Sequence, residues 1–317
     1  MSTRLTVGID IGGTKLAAGV VDEEGTVLDR VRYPTPAANA DKVLDAVNGA
    51  VAELRDRHPD VSAVGVGTAG HVDADRSTVT FAPNLPWRDE PLKARLTERL
   101  GLPVVVENDA NAWAWGEARF GAGQGCEHLV CVTLGTGVGG GLVLGGALHR
   151  GRFGLAAEVG HARLVPEGRP CACGNLGCWE AYASGRALAF EARARAEAAP
   201  ESAPTLWSLV DGDLSAVTGM EVTAAAQAGD AAAVDSFAAV GAWVGEGLAN
   251  LAEILDPQRF VLGGGVAEAG EILLDAAWDA YRSRLIGREE HQVADIRVAR
   301  LGVDAALVGA ADLARAG

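Results

Sequence analysis

The sequence predicts an α/β protein built as two halves with mixed sheets, and three observations carry that expectation. Short β-like runs alternate with helical periods along the chain. The strand–glycine turn–strand stretch VGIDIGGTK near the start has an echo in VTLGTGVGGG at 132–141. At 317 residues, the chain is long enough for two domains of ordinary size, each with its own core. Two similar halves facing each other across a cleft are the expected architecture.

The elements follow in order. LTVGID (5–10), KLAAGVVD (15–22) and TVLDRVRY (26–33) read as successive strands, joined by turns at Gly12-Gly13 and Glu24-Gly25. From Asp41 to Arg57, apolar residues fall at Val43, Ala46, Val47, Ala50, Val51 and Leu54, a helical period. VSAVGVG (61–67) is a buried strand by composition. A helix over 91–100, a strand over 103–108 and a helix from Ala110 to Phe120 complete the first half. The pattern restarts with strands at 128–135 and 140–146, which ALHRG continues. Helical stretches are expected at 184–198 and 222–255, then a strand at 259–265, a helix at 268–285, a strand at 294–301 and a final helix at 303–315. The segment 199–220, rich in Pro, Ser, Ala and Asp, reads as a surface excursion.

Charge narrows the function classes. With 42 acidic against 27 basic residues and a net charge of −15, the chain lacks the clustered cations that nucleic acid or an anionic membrane would need. A few local cations or backbone amides can still bind one phosphate group. No apolar run approaches the ~20 residues that cross a bilayer. The N-terminal MSTRLTVGID enters a strand at once, so no signal peptide and a cytoplasmic location are expected. Five cysteines, three of them clustered, fit a reducing compartment with metal binding better than a disulfide framework.

Four stretches carry candidate chemistry. In GIDIGGTK, Asp10 ends a strand, and Gly12, Gly13, Thr14 and Lys15 form a tight turn. That turn is either a routine hairpin or an anion-binding concavity of backbone amides, with Asp10 placed to hold Mg²⁺. GVGTAG (65–70) and GTGVGG (135–140) share the dinucleotide-binding spacing, but turn-like and strand-like residues follow them where that fingerprint needs a helix. Asn108 and Asp109 stand where an apolar strand gives way to a helix. Asp109 there is either an N-cap or a general base, with Asn108 orienting a hydroxyl.

The fourth stretch is CACGNLGCWE (171–180). Cys171, Cys173 and Cys178 offer three soft ligands, and His161, ten residues upstream, is the nearest histidine to supply a fourth. Chance clustering and a redox pair are the alternatives, the latter disfavoured because C-x-x-C is absent. Four protein ligands leave no open position, so such a zinc is structural. Glu158 and Glu180 flank the ligands, either as solvated carboxylates or as acceptors for a polyol.

Taken in order, GIDIGGTK, END, LGTGVGGG, E-V-G-H, CACGNLGCWE and VLGGGV resemble the ROK family (repressors, open reading frames, sugar kinases), closest to its bacterial ATP-dependent glucokinases. The resemblance runs from residue 5 to about 312, and the cysteine string after Glu-x-Gly-His is its most specific part. It implies the actin/hexokinase-like (ribonuclease H-like) fold, with 1–108 plus 303–317 as a smaller α/β domain and 109–302 as a larger one carrying the zinc loop. It implies phosphorylation of glucose at the 6-hydroxyl by ATP with Mg²⁺, and one structural Zn²⁺ on His161, Cys171, Cys173 and Cys178. Asp109 is then the base, with Asn108, Glu158, His161 and Glu180 as further sugar ligands. Asp10 stands near Mg²⁺, and Gly12, Gly13, Thr14, Lys15, Thr136 and Gly137 near the phosphates. Gly263, Gly264 and Gly265 stand near the adenosine. A homo-oligomer, dimer or tetramer, is also implied.

Rival readings differ in class. Repressors of the family carry a helix-turn-helix domain ahead of the first glycine turn, whereas nine residues precede Asp10 here. A non-catalytic sugar sensor is expected to lack the base that Asp109 supplies. Kinases for mannose, fructose, N-acetylglucosamine or N-acetylmannosamine remain alternatives. Polyphosphate-using relatives are a further one, disfavoured because a long polyanion calls for a basic groove.

Overall fold

A computed structural model describes residues 4–287 and 292–315. Its elements begin with strands β1 (Leu5–Ile11), β2 (Lys15–Val21) and β3 (Val27–Pro34), helix α1 (Ala40–Arg57) and strand β4 (Val61–Thr68). Three short strands follow: β5 (His71–Val72), β6 (Val79–Phe81) and β7 (Arg88–Glu90). Then come α2 (Leu92–Leu100), β8 (Val104–Asn108), α3 (Asp109–Phe120), β9 (Leu129–Leu134), β10 (Val138–Leu144) and β11 (Ala147–His149). Helices α4 (Glu180–Ala183), α5 (Gly185–Ala198), α6 (Pro204–Leu209), α7 (Gly219–Gln227) and α8 (Ala231–Leu255) precede β12 (Arg259–Gly263). The chain closes with α9 (Glu271–Arg284), β13 (Asp295–Val298) and α10 (Ala305–Arg315). Two five-stranded sheets are ordered β3-β2-β1-β4-β8 and β11-β10-β9-β12-β13, so the mixed-sheet α/β expectation and the strand echo both correspond to real elements. Among the described residues, no helix is long and apolar enough to cross a membrane.

The chain divides into two compact units: 1–129, 141–157 and 299–317 form one, and 130–140 with 158–298 the other. In the first, β1 pairs antiparallel with β2 and parallel with β4, which pairs parallel with β8. The helical period read at Val43, Val47, Ala50, Val51 and Leu54 is the buried face of α1. Helix α3 stays with this unit, although the boundary read from the sequence falls just before it. The reason is close packing on α10. A Cβ at Gly309 would lie 1.8 Å from the Ala112 carbonyl oxygen, and one at Gly116 would lie 2.3 Å from that of Ala305. Only glycine lets the two backbones meet so closely.

Two expectations need correction. The helical stretch 222–255 is two helices, because Gly229 turns the chain at φ 84° and the Asp230 side chain caps α8 by accepting from Ala233 N. The segment 199–220 is not a surface excursion: it holds α6 and the start of α7, and Leu206, Leu214 and Val217 are buried. Its Pro and Asp residues start helical turns, with Pro204 at an N-terminus and Asp213 capping a 3-10 turn. Strands β5 to β7 form a small three-stranded sheet, and β5 lies in the 71–79 stretch whose residues are turn-like in sequence.

Candidate active site

In the first unit, parallel register sets the chemistry at one sheet edge. Asp10 pairs with Gly67 and Gly67 with Glu107, so β1, β4 and β8 end together and deliver Asp10, Asn108 and Asp109 to the C-terminal edge. Ligand sites of open α/β sheets gather there. The cap of α3 is Asn108, whose Oδ1 accepts from Asn111 N at 3.0 Å, so the helix does not depend on Asp109 for its capping. Asn108 Nδ2 donates to the Gly70 carbonyl and to Asp109 Oδ1, each at 3.0 Å, which fixes the Asp109 carboxylate. Burial, and then the charge of Asp109, push the Asp10 carboxyl up to about 7. Two carboxylates at one edge, one of them half-protonated near neutrality, form a donor set that a hard divalent cation relieves.

Glu107 belongs to this edge and was not singled out from the sequence. It is 2% exposed, pairs with Arg150 Nε at 2.5 Å, and accepts from Asn111 Nδ2 and Asn108 N, each at 3.1 Å. The acid at the end of VVVE was a signal, since a charge in a buried strand needs a partner. The turn after Asp10 is a β1–β2 hairpin, held by Gly12 N donating to the Lys15 carbonyl at 3.0 Å and Thr35 Oγ1 donating to the Gly12 carbonyl at 2.8 Å. Thr14 and Lys15 are exposed at its tip. The two G-x-G-x-x-G matches lead into strands or bends, not helices, as the sequence indicated.

In the second unit, the turn at 135–137 is the meeting point. Gly135 N donates to the Gly137 carbonyl at 2.9 Å, and Val138 N donates to Glu180 Oε2 at 3.0 Å. A Cβ at Gly137 would fall 2.2 Å from Glu180 Oε2, and one at Gly160 would fall 2.1 Å from the Val138 carbonyl oxygen. The Glu158–His161 turn and Glu180 therefore close on Val138 from two sides. Gly263, Gly264 and Gly265 end β12 and turn beside the same strand, where Val266 N donates to the Leu134 carbonyl at 3.0 Å. A cavity of about 990 Å³ opens here, lined by Thr136, Arg186, Phe190, Met220 and Gly265 among others. Its size is at the upper end of what a small-molecule site needs. Thr136 and Gly265 were singled out from the sequence. Met220 and its neighbours were not, because 199–220 was read as surface.

The cysteine stretch folds as a knuckle. Cys171 N donates to the Asn175 carbonyl at 2.9 Å, and Gly177 sits at φ 77° pressed against Val165. The ligand atoms of His161, Cys171, Cys173 and Cys178 all lie within 4.8 Å of one another. Cys173 and Cys178 sulfurs are 3.6 Å apart, and Cys171 Sγ is 3.8 Å from His161 Nδ1. A tetrahedron with bonds of about 2.3 Å has edges of about 3.8 Å, so the donors and their spacing fit zinc. Burial, then the Cys173 and Cys171 sulfurs, push the Cys178 thiol up to about 12. A second anchor ties the loop down: the Arg169 guanidinium stands 4.8 Å from the Tyr182 ring and 4.5 Å from that of Phe190, and donates to Glu191 at 2.6 Å.

The profile of the ROK family matches residues 6–316. The chain is 52% identical to a glucokinase of Streptomyces coelicolor over 311 residues, 98% of each chain. It is similar to the crystal structure of a ROK family glucokinase from Streptomyces griseus in complex with glucose and AMPPNP, with a TM-score of 0.88, 55% identity, and coverage of 99% of this chain and 100% of that one. It is also similar to the ROK hexokinase of Thermus thermophilus, with a TM-score of 0.81, 39% identity and 98% of both chains covered.

Proposed function

The chain belongs to the ROK family, and from that membership we propose that it phosphorylates glucose at the 6-hydroxyl with ATP, giving glucose 6-phosphate and ADP. The observation that carries the proposal is the likeness, along the whole of both chains, to a glucokinase crystallised with glucose and AMPPNP. Asp109 is the base that accepts the 6-hydroxyl proton, oriented by Asn108, which is itself fixed through the α3 cap and Glu107. In phosphoryl transfer most of the rate comes from positioning and charge stabilisation, so a base held by Asn108 Nδ2 and Ala110 N suits the reaction. Glu158, His161 and Glu180 hold sugar hydroxyls. The Val138 cluster gives them fixed positions before any ligand arrives.

Asp10 would hold the Mg²⁺ that accompanies ATP, and its carboxyl is raised by burial and then by the charge of Asp109. Gly12, Gly13, Thr14 and Lys15, and Thr136 and Gly137, are assigned to the phosphates. Gly263, Gly264 and Gly265 are assigned to the adenosine, beside the 990 Å³ cavity. Zinc on His161, Cys171, Cys173 and Cys178 supplies a fixed fold and neutralises the thiolates, with no open position for chemistry. A homo-oligomer, read by light scattering, completes the proposal.

The test is a panel of glucose, mannose, fructose, N-acetylglucosamine and N-acetylmannosamine with Mg²⁺ and either ATP or polyphosphate. Glucose with ATP is expected to give the highest kcat/KM. A preference for another sugar transfers the assignment to that hexose, and turnover with polyphosphate alone removes ATP from it.

A further inference from the structure

We propose that Arg186 couples the nucleotide cavity to Glu180, holding that carboxylate while the cavity is empty and releasing it when phosphate binds. The proposal rests on the preceding assignment of Glu180 to the sugar and of the cavity to the nucleotide. Arg186 is the second residue of α5, and its guanidinium does two things at once. Nε donates to the Thr136 carbonyl at 3.0 Å, and Nη2 donates to Glu180 Oε1 at 3.1 Å. It also lines the 990 Å³ cavity. One side chain thus touches the turn assigned to the phosphates, the carboxylate assigned to the sugar, and the cavity beside that turn, all in the same unit.

The two oxygens of Glu180 are not equivalent. Oε2 is held by the Val138 backbone amide at 3.0 Å and confined by Gly137. Oε1 faces Arg186 and the Cys171 sulfur, the latter at 3.6 Å. A sugar hydroxyl that donates to Oε1 therefore meets an oxygen already accepting from a guanidinium. The partners also differ in freedom, since the Arg186 side chain is 56% exposed against 12% for Glu180. When contacts are exchanged, the arginine moves and the carboxylate stays.

Guanidinium prefers a phosphate to a single-point contact with a carboxylate, because phosphate accepts two parallel N–H bonds and carries more charge. A nucleotide whose phosphates reach Thr136 offers that better acceptor within range of the Nε contact Arg186 already makes. Drawing the guanidinium over leaves Oε2 on Val138 and opens Oε1 to the sugar. Exposed pairs of this kind are worth little, so the coupling is modest, about two- to fivefold in affinity. By linkage it is reciprocal: glucose tightens the nucleotide by the same factor.

The experiment is calorimetric titration of glucose into the purified protein with Mg²⁺, with and without saturating AMPPNP, for the native chain, Arg186→Gln and Arg186→Lys. In Arg186→Gln, glucose is expected to bind about two- to fivefold tighter without nucleotide than it does to the native chain. The factor by which AMPPNP tightens glucose is expected to fall by the same amount. Arg186→Lys keeps the charge without the fork and is expected to restore part of the coupling. A structural role for Arg186 predicts the reverse, weaker glucose binding in Arg186→Gln with or without nucleotide, and that result overturns the proposal. An unchanged coupling factor in Arg186→Gln overturns it as well, while native glucose and nucleotide affinities leave the kinase assignment standing. A native chain that binds no glucose removes both.

Discussion

The sheet edge at Asp10 and Asp109 and the cluster around Val138 solve opposite electrostatic problems. At the edge, like charges are brought together: burial and then the charge of Asp109 push the Asp10 carboxyl up to about 7, far above its ordinary value. Around Val138 each polar group has a partner. Glu180 accepts from a backbone amide and an arginine, and four metal-ligating atoms stand at tetrahedral spacing. The difference separates two tasks. On the assignment proposed above, the edge takes Mg²⁺ and a proton, and closely placed carboxylates with a raised pKa suit that task. A site that recognises a neutral sugar gains from acceptors fixed in advance, which satisfied hydrogen bonds provide.

The largest effect expected from breaking this contrast is at Asp109. Asp109→Asn keeps the size of the side chain and, because Asn108 is the cap, leaves α3 in place. It removes the proposed proton acceptor together with the charge that helps to raise Asp10. Steady-state kinetics should show kcat lowered about 10³-fold, within the range of general-base losses, with the KM for glucose changed less than threefold. A variant with near-native kcat would show that the edge positions the substrate without taking its proton.

How much of this was legible in the sequence depends on which physical signal each part left. Helix α1 follows from its 3.6-residue period, β3 from alternation, and β1, β2 and β4 from short apolar runs that are buried almost throughout. The knuckle is readable because cysteines have few other reasons to cluster in a reducing compartment. What stayed hidden was set by tertiary partners. Glu107 shows its role only through Arg150, 43 residues away. Arg186 shows its role only through Thr136 and Glu180, which the fold brings to it. Met220 reaches the cavity only because 199–220, polar by composition, buries Leu206, Leu214 and Val217.

The second effect is pH-dependent and belongs to the sheet edge. In the unfolded chain Asp10 titrates near 3.8, and in the folded chain near 7, so between those values the folded state holds the extra proton. Its contribution to stability is full below about pH 4 and is lost as pH rises through 7. Asp10→Asn removes that dependence. Ligand-free Asp10→Asn should be more stable than the native protein at pH 8 by up to ~4 kcal/mol, and equal to it near pH 4. The same variant should lose most of its turnover with ATP, the usual exchange when a functional charge is removed. Urea midpoints across pH 4–8 measure the first claim. An unchanged gap across that range would mean the Asp10 charge is already matched.

The third effect tests the Val138 cluster at its metal. Cys178→Ala should lose the one zinc per chain that native protein is expected to show by elemental analysis. With it should go ~3 kcal/mol of stability, roughly 5–10 °C in melting temperature. The KM for glucose should rise more than kcat falls, because the knuckle acts on chemistry only through Glu180 and His161. Equal losses in the two parameters would place the zinc closer to the reaction than a closed four-ligand site allows.

The smallest effect is the most local, and it asks whether Glu180 must stay where Val138 holds it. In Gly137→Ala the new Cβ falls 2.2 Å from Glu180 Oε2, closer than real Cβ contacts come, so the carboxylate has to leave the Val138 amide. A charge-assisted hydrogen bond of that kind is worth about 1.5–3 kcal/mol. Part of the loss returns as Glu180 keeps Arg186 and takes up water, so the KM for glucose should rise about tenfold, equivalent to ~1.4 kcal/mol. The kcat at saturation should stay within threefold. The same substitution at Gly49 in α1, where a Cβ meets nothing within 4 Å, should leave both parameters alone and stabilise the helix by ~0.5–1 kcal/mol. If Gly137→Ala also leaves the glucose KM at its native value, then Glu180 binds the sugar from a position other than the one the backbone gives it, and the fixed acceptor is not what recognises glucose.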